Sequence, residues 1–325
     1  MTSNQFNLKL GYDTLISPQY NGNIATQEWG AGYINKYLYS YDKLNRLKSG
    51  ISSGIDMSEV LSYDKMGNIS SLIRDGNTPN VYSYSGNKLN GVSGGLITGN
   101  YEYDSNGNAV KDGRNRVDLG YNVLNLPSSV SKDGLSITYT YDADGNKLKK
   151  VSGGTSTDYV SGIQYLNRAI DFIQTGEGRA IRTGNSYNYE YTLVDHVGNS
   201  RVTFYKNPTS GVLEVLQIDD YYAFGMRRQS LVSSNDNRYL YNSKELQEEL
   251  GQLDYGARFY DPIIGRWNVV NPLAEMASNL TPFRYCYNYL VNFIRENRFK
   301  LNTDENITDF GCHSIYNMCN GAEWG

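Results

Sequence analysis

The chain has 325 residues, 30 of them basic and 34 acidic, and its formal charge of −4 comes without a basic run, so nucleic acid is not an expected partner. Tyr outnumbers Phe by 30 to 9 and 33 Gly accompany only 7 Pro, a mixture that favours aromatic strands and flexible turns over helices. No apolar stretch approaches the ~20 residues that span a bilayer, so no membrane span is expected, and three cysteines are too few for a disulfide framework.

Along the chain, the first feature is a repeated phrase: Tyr, a polar pair, Gly-Asn or Leu-Asn, then a short apolar stretch. It reads YNGNI at Tyr20, YDKLNRL at Tyr41, YDKMGNI at Tyr63, YSGNKL at Tyr84, YDSNGNAV at Tyr103, YNVLNLP at Tyr121 and YDADGNKL at Tyr141. The anchoring tyrosines are 21, 22, 21, 19, 18 and 20 residues apart. A period near twenty marks one supersecondary unit that buries a continuous core only by stacking on its neighbours.

Each unit reads as a β-hairpin. Tyr39/Tyr41, Tyr82/Tyr84, Tyr101/Tyr103 and Tyr139/Tyr141 are two apart, so each pair shares one face of a strand. Asn106-Gly107 and Asp144-Gly145 suit the centre of a type I′ turn, and Asn68, Asn87, Asn108 and Asn146 tolerate the left-handed region. Leu89/Val92 and Leu148/Val151 are three apart, which calls for a bulge or an irregular strand on the downstream side. The repeat-defining residues are Tyr41, Asp42, Tyr63, Asp64, Gly67, Asn68, Tyr103, Asp104, Gly107, Asn108, Tyr141, Asp142, Gly145 and Asn146.

These phrases resemble the YD repeats of RHS proteins. The second half resembles the RHS-repeat-associated core region, with DYVSGIQY at Asp158, IQTGEGRA at Ile173, YEYTLVDHVGNSRVTFY at Tyr189, DYYAFGM at Asp220, YLYNSKELQEELG at Tyr239 and DYGARFYDPIIGRWNVVNPLAE at Asp254, in family order. The core motif residues are Asp195, His196, Gly198, Asn199, Arg258, Tyr260, Asp261, Pro262, Gly265, Arg266 and Trp267. The resemblance implies a mainly β fold, a spiralling antiparallel hairpin sheet forming part of a hollow shell. It divides the chain into a repeat array over 12–151, a core region over 152–294 and a variable, poorly ordered tail over 295–325. Helix formers in KELQEEL at Lys244 and over residues 272–294 predict short helices near the C-terminus, with Pro272 and Pro282 at first-turn positions.

In the same family, release of a passenger implies aspartyl self-cleavage around two Asp-Pro motifs. Here the first reads NPLAE with Asn271 in place of the acid, and the second reads YLVNFIREN with Arg295 in place of the other. An amide cannot shuttle a proton, so self-cleavage is expected to be lost. Asp261, in YDPII, survives as a single carboxyl and reads as a turn residue before Pro262.

Asp195, His196 and Ser200 invite a hydrolase reading, but neighbours on one hairpin rarely converge as a triad. Cys312, His313 and Cys319 match no zinc spacing. No cofactor, metal or enzymatic activity is therefore expected.

The leading expectation is a structural shell segment, a truncated copy without an active passenger. Its partners would be the remainder of an RHS shell, another β-edge at Tyr20, or a toxin passenger. The competing reading is a cell-surface module that binds glycans or a protein through Tyr-rich strands. A residual aspartyl self-protease ranks last. The chain starts within the repeat pattern with no signal peptide, so the secreted or surface location follows from the family alone.

Overall fold

A computed structural model describes residues 5–13, 18–232, 237–289, 291, 293–294 and 313–314. Twenty-two strands, from Asn7–Gly11 to Arg227–Val232, form one sheet. Every strand pairs antiparallel with the next one in sequence, so the sheet is an uninterrupted meander. The mainly β, hairpin-repeat architecture read from the sequence is what forms.

The sheet curls, and residues near its start meet residues near its end. The Trp29 indole N–H donates to Asp220 Oδ1 at 2.6 Å, and the Tyr37 hydroxyl donates to the Tyr221 carbonyl at 3.2 Å. One apolar cluster joins Trp29, Tyr37, Leu61 and Leu72 to Tyr221, Phe224, Tyr260 and Tyr285, and a smaller one joins Val117, Val130 and Ile137 to Leu250 and Phe259.

The hairpin turns depart from the type I′ expectation. Asp104 O accepts from Gly107 N at 3.2 Å and Asp104 N donates to Asn108 O at 3.0 Å; only Gly107 takes positive φ (83°), and Asn106 does not. Gly145 (φ 76°) and Asp144 behave in the same way. This is a three-residue loop with a left-handed bulge residue, whose twist also matches the strands. Nor do Asn68, Asn87, Asn108 and Asn146 take positive φ. In the units that open on Asp, the Asn after Gly instead turns back on that acid: the Asn68, Asn108 and Asn146 side-chain amides donate to Asp64, Asp104 and Asp142 at 2.8, 2.9 and 2.7 Å. Where Leu-Asn replaces Gly-Asn, Asn45 and Asn125 hold the bulge position themselves, with φ of 60° and 56°.

Bulges occur in the returning strands where the three-residue spacing falls, with Asn90 the extra residue opposite Ser83 and Tyr84 and Leu148 the extra residue opposite Thr140 and Tyr141. Leu89 and Val92 are both buried, whereas Leu148 is exposed. Tyr20 is not on an edge strand: it lies in a turn and is 87% exposed, and the outermost strand is Asn7–Gly11.

After the meander, Glu245–Gln247, Gln252–Asp254, Phe259–Asp261 and Arg266–Trp267 form a small antiparallel sheet. The helix expected over KELQEEL is therefore a strand and a turn, because Glu245 and Gln247 are buried together on one face, the period of a strand. The short helices expected over residues 272–294 are single 3-10 turns at Ala274–Ala277 and Cys286–Asn288. Neither Pro272 nor Pro282 stands at the first position of one. Among the described residues no helix is long and apolar enough to cross a membrane.

Candidate functional site

The repeat tyrosines explain why the phrase uses Tyr and not Phe. The hydroxyls of Tyr41, Tyr63, Tyr84, Tyr121 and Tyr141 donate to the carbonyls of Ile24, Leu47, Ile69, Ala109 and Pro127 at 2.8, 2.6, 2.7, 2.8 and 2.9 Å. Each acceptor lies just past the turn of the preceding unit. Tyr103 makes the same connection in reverse, its hydroxyl accepting from Leu89 N at 3.3 Å. Turn tips are also joined, with Asn68 donating to Asn87 and Asn108 to Asn125 at 2.9 and 2.8 Å.

The C-terminal sheet is fixed to this wall by charges from the strands and turns of the repeats. Glu59 is fully buried; its Oε1 accepts from Arg74 Nε at 2.7 Å and its Oε2 from Phe224 N at 3.0 Å. The rest of the Arg74 guanidinium donates to Ile263 O and Pro262 O at 2.7 and 3.1 Å, so one buried pair holds two core motifs. Lys147 lies 2.5 Å from Glu245 and 2.6 Å from Asp254, and Lys150 lies 2.7 Å from Glu249. Arg114 lies 2.6 Å from Asp261 and 3.3 Å from Asp112. Isolated buried charges are costly and survive when paired and hydrogen-bonded.

The core motif residues fall into this joint. Arg266 donates to Asn68 Oδ1 at 3.2 Å and to the Asn87 carbonyl, and its guanidinium lies 5.1 Å from the Tyr84 ring centre. Arg258 stacks 4.1 Å from the Trp267 ring. The Tyr260 hydroxyl donates to Phe224 O at 2.8 Å, and its ring stacks on Tyr285 at 4.0 Å. Gly265 takes φ 66° where a Cβ would meet Phe224 at 2.8 Å and Ile69 at 2.9 Å.

Asp261 Oδ1 accepts from Ile263 N at 2.9 Å and so closes the turn around Pro262, while Oδ2 takes Arg114. It is not alone as a carboxyl: Asp112, from a repeat strand, shares the same guanidinium. The sequence reading missed this second acid, along with Glu59, Arg74, Lys147 and Arg201. The signal available was a charge in the inward phase of a strand, as with Glu59 and Arg74, each two residues from, and on the same face as, Leu61 and Leu72.

Asp195, His196 and Ser200 do not converge. Asp195 accepts from Asn199 Nδ2 at 2.9 Å and from Arg201 Nε at 2.8 Å. Its carboxyl stays below the usual range: burial, the largest single influence, opposes ionisation, but the Arg201 charge, His196 and the hydrogen bonds from Asn199 together outweigh it. The His196 Nε2 lies 2.9 Å from Val291 O, and the Ser200 hydroxyl donates to Tyr239 O at 2.7 Å. Burial pushes His196 below the ordinary imidazole value. Gly198 takes φ 76° in a turn that copies the repeat.

Asn271 is half-buried, accepts from Leu273 N at 3.3 Å and donates its own N–H to Pro282 O at 3.0 Å. Arg295, Cys312 and Cys319 lie outside the described residues. Of the tail, only His313–Ser314 is described, as a short strand paired with Phe293–Ile294.

The class that the fold defines is a curled antiparallel hairpin-repeat sheet with a small C-terminal sheet packed against it. No family model matches the chain. It is 27% identical over 251 residues to a tRNA3(Ser)-specific nuclease WapA of Bacillus spizizenii, covering 71% of this chain and 10% of that protein. It is 24% identical over 222 residues to salivary gland surface protein 1 of Aedes aegypti, covering 59% of this chain and 6% of that protein. Among solved structures, the Photorhabdus luminescens Tc holotoxin pore carrying a mutated TccC3 aligns with a TM-score of 0.58 at 15% identity, over 90% of this chain and 18% of that one. The chain thus shares the fold of the Tc holotoxin neighbour, in line with the resemblance carried by the motifs. It spans about a tenth or less of the length of those curated relatives.

Proposed function

We propose that this chain is structural, a wall segment of an RHS-type toxin or surface shell with its core closure. The observation that supports it most is the placement of the paired repeat tyrosines, which, unlike the exposed Tyr20 of the first turn, are packed between neighbouring hairpins. Tyr39, Tyr82, Tyr101 and Tyr139 are buried, and their partners two residues on are half-buried. The proposed division remains 12–151 for the repeats and 152–294 for the core region. The shell's partners are the remainder of an RHS shell or another β-edge and a passenger in the enclosed space, with a secreted or surface location.

Self-cleavage is absent in this reading, since Asn271 and Arg295 replace the two acids and Asp261 is engaged as a turn residue. Intact mass measured over days of incubation is expected to show one uncut chain. Two fragments that vanish in an Asp261→Asn variant would overturn the non-enzymatic reading.

One observation favours the surface-binding alternative. Tyr187, Tyr189 and Tyr191 share one face of strand Ser186–Val194 and are exposed by 39, 57 and 38%. A glycan array with no saturable binding would remove it.

A further inference from the structure

Asp112 ends strand Ala109–Asp112, and Asp261 ends strand Phe259–Asp261 of the C-terminal sheet. Their side chains are each only 3% exposed, and both reach the single Nη2 of Arg114, at 3.3 and 2.6 Å. Two carboxylates therefore share one guanidinium across the seam between a repeat and the core. Tyr101 approaches from strand Gly99–Tyr103, the Asn115 backbone N–H donates to Asp112 Oδ1 at 3.1 Å, and Arg266, the strand partner of Asp261, directs its hydrogen bonds to Asn68 and Asn87 and to neither carboxylate.

The seam encloses a small cavity walled in part by Tyr101, Asp112, Asp261, Trp267 and Asn268, and the Trp267 indole N–H and Asn268 Oδ1 have no protein partner. At about 20 Å³ of space for a water-sized sphere it is large enough to seat a water molecule.

We propose that Asp112, Arg114 and Asp261 form a proton-binding joint through which the YDP turn docks more tightly on the repeat wall at mildly acidic pH than at neutral pH. Protonating Asp112 leaves the closer Asp261–Arg114 ion pair intact and removes the like charge beside it. Burial first, and then the Asp261 charge, raise the Asp112 carboxyl from 3.8 to about 6, against the pull of Arg114.

The folded chain thus holds this proton more tightly than the unfolded chain does. Both states are protonated below 3.8 and both are ionised above about 6. Docking is strongest at the acid end of that window, weakens as pH rises through it and is weakest above it. The inference stands whether or not the chain walls a container.

The direct test is a carboxyl ¹³C NMR titration of the full chain. An Asp112 midpoint near 6 is expected; a midpoint at its ordinary value would overturn the proposal. Asp112→Asn, neutral and nearly isosteric, should raise the unfolding midpoint at neutral pH and flatten its dependence on pH across the window. An unchanged slope in that variant would also overturn it. Asp261→Asn should bring the Asp112 midpoint down. If either variant fails to fold, the wild-type titration decides alone. Protection factors over residues 259–267, with the intrinsic pH dependence of amide exchange divided out, should be higher at pH 5 than at pH 7.5 and report the docking itself; equal factors would overturn the proposal.

Discussion

The repeats and the small C-terminal sheet are built from the same residue types by opposite means. In the repeats, strands of four to seven residues pair along most of their length, and a tyrosine hydroxyl fastens each unit to the one before. In the C-terminal sheet the strands have two or three residues. Too short to hold themselves, they are fixed by side chains that arrive from more than a hundred residues away, such as Arg74 and Arg114. A wall can be made of local, repeated connections, whereas a closure depends on a few buried charges that each act once.

The hardest blow to that contrast is at Glu59. Replacing it by Gln leaves Arg74 buried without its counter-charge and is expected to cost about 3–5 kcal/mol in urea unfolding. A loss below ~1 kcal/mol would show that the pair is dispensable to the closure. Next comes Gly265→Ala, which puts a methyl group against Phe224 and Ile69 at positive φ. A loss of about 1–3 kcal/mol is expected, with increased proteolysis of the C-terminal sheet before that of the wall.

The smallest effect sharpens the other side of the comparison. Tyr63→Phe and Tyr141→Phe each remove one hydroxyl from the wall, and each is expected to cost about 1 kcal/mol. Combined, the two should add, because they join different units. Strong coupling between them would mean that the wall is less modular than its geometry.

The wall was largely legible in the sequence and the closure was not. Tyrosines at a regular spacing announced hairpins, and the Leu89/Val92 spacing announced a bulge, because both follow from local backbone geometry. The turn type was misread since Asn-Gly serves two hairpin loops, and the choice rests on the Asp that opens the turn and accepts the Asn back. KELQEEL was misread for a different reason: helix propensity is weak against burial, and the positions of Glu245 and Gln247 are set by Lys147 and the surrounding strands. Nothing in AVKDGR reveals that Asp112 will meet Asp261, a contact that only the curl of the sheet creates.

The five hydroxyl-to-carbonyl bonds that join one hairpin to the hairpin before it all run one way in the chain. Each tyrosine reaches toward residues made earlier, so a polypeptide leaving the ribosome amino end first finds the anchoring carbonyl already synthesised when the next tyrosine emerges. Growth of the wall can therefore keep pace with translation, one ribbon at a time, without waiting for the carboxyl end.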